Sequence, residues 1–348
     1  MKTTYIIGAG ASMDYGFPTG DKLKEDISTM YRKNDDGTFN NDQVNSYYNK
    51  LVTTFKNKEY LSLDHEAHEL NSALPTAFSI DNYLDAHNEK ADRLLYGKLG
   101  ILYTINKYEK ASPLCIRKEP DKQFNTELLK KSPWHLSFFH SLIEGCDFER
   151  FKNRIEDITL IIFNYDRCIE QFLLLAIQIY YEVDEESAKD SIRSLQIIHP
   201  YGSIGKLPWL ANSSSYSLDY GQNIVFGSMQ SIAISNELKT FTEELNPKES
   251  EIADAKTALF NSSRVVTLGF AFHHMNLKLL SISDFNDLFI DNERTLFGTA
   301  FNISKSDIES IKAMCQKFLK ISHRNIALSD QKCDAFFNSY RLSLNYER

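Results

Sequence analysis

The sequence predicts an α/β protein built on a doubly wound parallel sheet with a large helical insertion, and three observations carry that expectation. The chain opens on a β-favouring run, Thr4 to Ile7, followed at once by the small-residue loop Gly8-Ala9-Gly10-Ala11-Ser12 and then a helical pattern. From residue 158 onward, short apolar runs alternate with helical stretches, as strands buried on both faces by crossover helices do. Between the two, from about residue 40 to 154, helical patterns broken by Pro75, Pro113, Pro120 and Pro133 run on without a strand signal. The expected organisation is a single domain over 1–348, with residues 1–39 and 155–348 as its core and residues 40–154 as the helical insertion.

Taken in order, the first strand feeds a tight turn and a helix starting near Asp21, with Leu23, Ile27 and Met30 on one side. Gly8 is expected to allow the turn, and Gly10 to let the backbone approach a pyrophosphate with no side chain in the way. Free amides and the positive end of the helix dipole would then hold the phosphates. This is the opening of a dinucleotide-binding βα unit, although Met13 stands where the third glycine of that fingerprint falls. A purely structural turn is the alternative. Helices are expected over 42–70, 80–87, 91–108, 134–144, 168–181 and 306–319, and further strands over 158–163, 195–198, 223–226, 264–268 and 294–298. Four of these strands end in a polar or glycine-rich cluster: Asn164-Tyr165-Asp166, His199-Pro200-Tyr201-Gly202-Ser203, Gly227-Ser228, and Gly269 to Asn276. Ligands of doubly wound sheets bind beyond the carboxyl ends of the strands, so these clusters form the candidate site.

Composition narrows the classes. A length of 348 residues fits about two domains, or one large α/β domain with an insertion. A net charge of −8 gives no basic footprint, so direct nucleic-acid binding is not expected. The five cysteines are widely spaced and include no CxxC pair, which yields neither a disulfide framework nor a zinc site and points to a reducing cytoplasm. The longest apolar run, Phe172 to Ile177, falls far short of the about 20 residues needed to span a bilayer, so no membrane association is expected.

The ordered blocks Gly8-Ala9-Gly10-Ala11-Ser12 with Gly16-Phe17-Pro18-Thr19-Gly20, Phe163-Asn164-Tyr165-Asp166, His199-Pro200-Tyr201-Gly202-Ser203, Val225-Phe226-Gly227-Ser228 and Leu268-Gly269-Phe270-Ala271-Phe272 resemble the NAD-binding Rossmann-like domain of the sirtuins. The resemblance covers about residues 1–21 and 158–276. It implies that Gly8, Ala9, Gly10 and Ser12 wrap the NAD pyrophosphate and ribose, and that Pro18, Thr19 and Asp21 continue that loop, with Thr19-Gly20-Asp21 replacing the family's Asp-Phe-Arg. It implies ribose or water positioning for Asn164, nicotinamide contact for Asp166 and the catalytic role for His199. Gly227 and Ser228 match the Phe-Gly-Glu block, with serine replacing glutamate. Gly269, Phe270 and Asn276 fall in the block that holds the adenosine side. The sirtuins' four-cysteine zinc module has no counterpart, since residues 200–222 contain no cysteine.

Zinc-less sirtuin-like domains with a helical insert are similar to NAD-hydrolysing effectors of bacterial anti-phage systems, including those partnered by a HerA-type ATPase. The resemblance thus implies NAD as substrate, no zinc, and cleavage to nicotinamide and ADP-ribose. Control by homo-oligomerisation, by a HerA-type partner or by another defence activator is expected, because unchecked NAD depletion would kill the host. The chemistry suits the residues: His199 titrates near neutrality and fits a base, and the Asn164 amide both donates and accepts. The alternatives at residue level are a satisfied turn histidine for His199 and a helix cap for Asn164-Tyr165-Asp166. His273-His274 lacks carboxylate or cysteine companions and reads as structural or pocket-lining. At the level of function, the alternatives are an NAD-dependent protein deacylase or ADP-ribosyltransferase, or a sensor that binds NAD or ADP-ribose without turnover. A dehydrogenase is disfavoured, because no acidic residue closes a second strand about 20 residues on.

Overall fold

Six strands form one all-parallel sheet among the described residues: β1 (Thr3–Ile7), β2 (Ile158–Ile162), β3 (Gln196–Ile198), β4 (Arg264–Leu268), β5 (Thr295–Thr299) and β6 (Ile326–Ser329). Their order is β3-β2-β1-β4-β5-β6, so the winding direction reverses between β1 and β4, as in a doubly wound Rossmann-like sheet. The computed structural model describes residues 1–54, 59–116, 129, 133–211, 215–240, 251–283 and 293–346. By its contacts the chain divides into two compact units, Met1–Tyr15 with Ile116–Pro200 and Asn246–Arg348, and Gly16–Cys115 with Tyr201–Leu245.

The first unit holds the sheet. All five residues of β1 and of β4 are buried, including the polar Thr3, Thr4, Arg264 and Thr267. Alternation along β1 sends its side chains to two covered faces. Ile6 joins Ile161, Val265 and Leu296 under the helices Glu251–Asn261, His274–Leu279 and Lys305–Leu319. Tyr5 meets Phe138 edge-on, with ring centroids 4.9 Å apart, under the helix Trp134–Ile143, and Trp134 stacks on Phe337 at 5.9 Å. Trp134 also reaches the loop after β1, its indole Nε1 donating to the Ala11 carbonyl at 2.5 Å. Trp134→Ala should therefore destabilise the first unit by about 3–5 kcal/mol, read from the urea midpoint at constant slope.

The second unit is helical. Thr19 caps the helix Gly20–Tyr31 by accepting from the Lys22 amide at 3.4 Å, and Leu23, Ile27, Met30 and Tyr31 form its buried side. Around it lie the helices Asp42–Thr54, Glu59–Ala73, Ile80–Asp85, Ala91–Ala111 and Met229–Ser235. Arg93 is buried on the long helix and donates to Glu66 at 2.6 Å, which neutralises a charge that could not be buried alone.

Two expectations from the sequence need correction. Residues 223–226 are not a strand: Ile224 and Phe226 are buried and Val225 is exposed, but the segment pairs with no strand among the described residues. Phe226 instead packs among the rings of Tyr31, Tyr47 and Tyr103 in the second unit. The sheet gains β6, a four-residue edge strand paired only with β5. Helix Gly20–Tyr31 and residues 201–245 belong to the helical unit, whereas Trp134–Ile143 and Phe148–Ile155 belong with the sheet, where Phe138 covers Tyr5. Among the described residues no helix is long and apolar enough to cross a membrane.

Candidate functional site

At the carboxyl ends of β1 and β4, the loops leave the sheet so close together that glycines are required. Gly8 is extended rather than turned, with φ −115°. A Cβ there would lie 2.6 Å from the Gly269 carbonyl oxygen, and one on Gly10 would lie 3.1 Å from the Gly269 Cα. Gly269 itself has φ +54°, and a Cβ on it would sit 2.2 Å from the Ala11 nitrogen. These glycines are thus explained by loop-on-loop packing within the first unit. Four of the amides expected to cradle a phosphate are already engaged. Gly8 donates to Leu268, Gly10 to Gly269, Ala11 to Gly8 and Ser12 to Ala9.

From the end of β2, Asn164 ties this loop down. Its Nδ2 donates to the Gly8 carbonyl at 3.1 Å and to the Ser12 hydroxyl at 2.9 Å. Ser12 also hydrogen-bonds Asp166, whose carboxylate accepts the Cys168 amide at 3.2 Å and so satisfies the start of the helix Cys168–Tyr181. Burial raises the Asp166 carboxyl above the usual range and the Glu170 charge adds to the rise, against the lowering effect of the Ser12 and Cys168 hydrogen bonds.

His199 follows β3 directly and enters the same cluster. Its Nδ1 lies 3.1 Å from the Asn164 backbone carbonyl and its Nε2 lies 2.9 Å from Glu170 Oε1. Burial alone would depress the imidazolium. The hydrogen bond and charge of Glu170, with the charge of Glu251 and the Asn164 carbonyl, outweigh burial and hold the His199 pKa above the ordinary histidine value. Two side-chain acceptors in this cluster, Asn164 Oδ1 and Glu170 Oε2, are buried with no hydrogen-bond partner. A buried acceptor without a donor costs about 1–3 kcal/mol.

Glu170 was not among the sequence candidates. Its signal was available, as the lone acidic residue in the otherwise apolar helix CIEQFLLLAIQIYY, four residues after Asp166.

The first unit therefore brings together Gly8, Gly10, Ser12, Asn164, Asp166, His199 and Gly269, with Ala9 half-buried on the same loop. Phe270 is placed otherwise than expected: its ring is 4% exposed and packs on Phe163 and Phe272 in the core. Asn276 lies half-buried in the first turn of the helix His274–Leu279. Pro18, Thr19, Asp21, Gly227 and Ser228 belong to the second unit, where local reasons account for several of them. Thr19 is the helix cap, and Asp21 is exposed and pairs with Lys24 at 2.9 Å. Gly227 has φ +70° and leaves room for the Tyr47 ring, and Ser228 caps the helix Met229–Ser235 by accepting from the Ser231 amide at 3.1 Å. Because 223–226 is no sheet strand, Gly227-Ser228 does not stand at a strand's carboxyl end.

Among the described residues, no group of three or more His, Cys, Asp or Glu side chains is arranged to hold a metal ion. A cavity of about 450 Å³ in the first unit, lined by His140, Tyr180, Phe337 and Arg341 among others, contains none of the candidate residues. Comparison with protein-family models and with curated proteins finds no match to this chain.

Proposed function

We propose that the chain is a sirtuin-like NAD+ glycohydrolase that cleaves NAD to nicotinamide and ADP-ribose, with Asn164 and His199 as its principal residues. The observation that carries the reading is the pair of unfilled buried acceptors, Asn164 Oδ1 and Glu170 Oε2, beside His199. Asn164 reaches the Gly8 carbonyl at the end of β1, one of the two strands that flank the switch point of the doubly wound sheet, where such folds take nucleotides. A cluster short of donors fits a substrate rich in hydroxyls, and the ribose next to nicotinamide supplies a vicinal diol, with the attacking water as a further donor.

In this reading the C1′–N bond breaks and its electron pair leaves with nicotinamide, neutralising the pyridinium charge. The ribose passes through an oxocarbenium-like state, as in glycoside cleavage. Water forms the new bond to C1′, oriented by the Asn164 amide, and its proton goes to His199 and then to solvent. The buried carboxylates of Asp166 and Glu170 lie in the same cluster and stabilise the positive charge that builds on the sugar. No zinc is needed for any of these steps. An activity that drains NAD has to be held in check, so we place it under the control of self-assembly or of a partner such as a HerA-type ATPase, in anti-phage defence.

Incubation of the purified protein with NAD, alone and with its assembled or partner-bound form, tests the reading. Equimolar nicotinamide and ADP-ribose, separated by chromatography, are expected. Acyl-ADP-ribose formed in the presence of an acyl-lysine peptide would instead identify a deacylase, and failure to bind NAD would overturn the reading altogether.

A further inference from the structure

The His199 ring sits between two oxygen partners. The Asn164 carbonyl, 3.1 Å from Nδ1, is an acceptor only, and so is an ionised Glu170 carboxylate, 2.9 Å from Nε2. Both ring nitrogens must then donate, which only the imidazolium can do. We infer that Glu170 is a positioning residue for His199: it holds the ring as a cation in the resting site, so that His199 becomes a base only when it loses a proton or swings free of Glu170. This goes beyond the NAD-hydrolase reading and, in its consequence for turnover, rests on it.

The surroundings are consistent with that assignment. His199 lies at the carboxyl end of β3, and Glu170 lies in the first turn of the helix Cys168–Tyr181. The second acidic group acting on the ring is Glu251, at the start of the helix Glu251–Asn261, and Glu170 acts in turn on Asp166 in the loop after β2. Glu170 is 3% exposed, so its attraction for the ring is little screened by solvent. Its second oxygen, Oε2, is buried with no hydrogen-bond partner.

The consequence has a definite sign. A histidine whose pKa is raised by folding stabilises the native state fully below its ordinary value, and that contribution is lost as pH rises through the raised one. Catalysis runs the opposite way, because the neutral ring with a free lone pair gains population over the same interval. The acid limb of kcat/KM should therefore lie above the ordinary histidine range. In Glu170→Gln, the charge that holds the imidazolium is gone, and the limb should move to lower pH by about one unit or more. The variant would then be more active than wild type at the acid end, which loss of a merely structural contact does not produce.

The test is a pair of titrations on the full chain. The His199 ring is followed by the NMR shifts of its Cε1–Hε1 group, assigned by their absence in His199→Gln, in wild type and in Glu170→Gln. In parallel, kcat/KM for NAD is measured against pH. The expected result is a wild-type His199 midpoint above that of an ordinary histidine, and a lower midpoint in Glu170→Gln that its kinetic limb follows. A wild-type midpoint at or below the ordinary value overturns the proposal, even if Glu170→Gln does not fold. Equal midpoints in the two folded proteins overturn it as well. If NAD is not cleaved by the wild type, the function reading fails while the ring titration still decides the role of Glu170.

Discussion

Replacing Gly269 by alanine is expected to cost about 2–5 kcal/mol, one of the larger effects open to a single methyl group in this chain. Two costs combine. The residue has φ +54°, where a Cβ is strained, and that Cβ would meet the Ala11 nitrogen at 2.2 Å and the Gly10 carbonyl carbon at 2.5 Å. Both obstacles are backbone, in loops anchored to the central strands β1 and β4, and neither can turn aside as a flexible side chain can. Gly20→Ala is the control, since nothing lies within 4 Å of the Cβ it would add in the helix Gly20–Tyr31. It should be neutral, or stabilising by about 0.4–1 kcal/mol. Urea denaturation of the two variants measures both. A Gly269→Ala protein as stable as wild type would show that the two loops do not hold this close packing.

The largest effect on activity is expected at Asn164 and His199. His199→Gln removes the proton acceptor but keeps a donor toward Glu170, so the buried carboxylate is not stranded, and NAD turnover should fall about 10²–10⁴-fold with little change in stability. His199→Ala would be harder to interpret, because it leaves Glu170 buried with its partner gone. Asn164→Ala should lower turnover by a comparable factor. It should also lower the melting temperature, since Nδ2 bonds both the Gly8 carbonyl and the Ser12 hydroxyl. Reading the two variants together separates positioning from folding.

How much of this was legible in the sequence depended on range. The strands β1, β2 and β4 declared themselves through short runs of β-favouring residues, apolar at most positions and bounded by turn residues. Ile326–Ser329 did not, since four residues at a sheet edge carry too little pattern to stand out. Residues 223–226 carried the pattern without a partner strand. The alternation of Ile224, Val225 and Phe226 is real, but it serves an aromatic cluster in the helical unit.

At the site, the sequence named Asn164, Asp166 and His199, and the fold brings all three into one hydrogen-bonded cluster. It could not show that Gly8 and Gly10 make room for Gly269, because that contact joins residues some 260 positions apart. Glu170 was missed for a different reason: a lone acid on an apolar helix was visible, but its partner lay 29 residues away on another strand end. The boundary of the helical unit was hidden too, because residues 201–245 return to it after the sheet has begun.

The central claim is that the Asn164–His199 cluster directs water onto C1′ of NAD. The direct measurement is turnover in ¹⁸O-labelled water by the wild type and by a folded His199→Gln protein, with nicotinamide and ADP-ribose resolved by mass spectrometry. The account predicts one ¹⁸O on the anomeric carbon of ADP-ribose from the wild type, and at least about a hundredfold less product from the variant. Labelled ADP-ribose formed equally by both proteins would place the chemistry elsewhere in the chain. Bound NAD that the activated wild type never cleaves would make the protein a sensor and not a hydrolase.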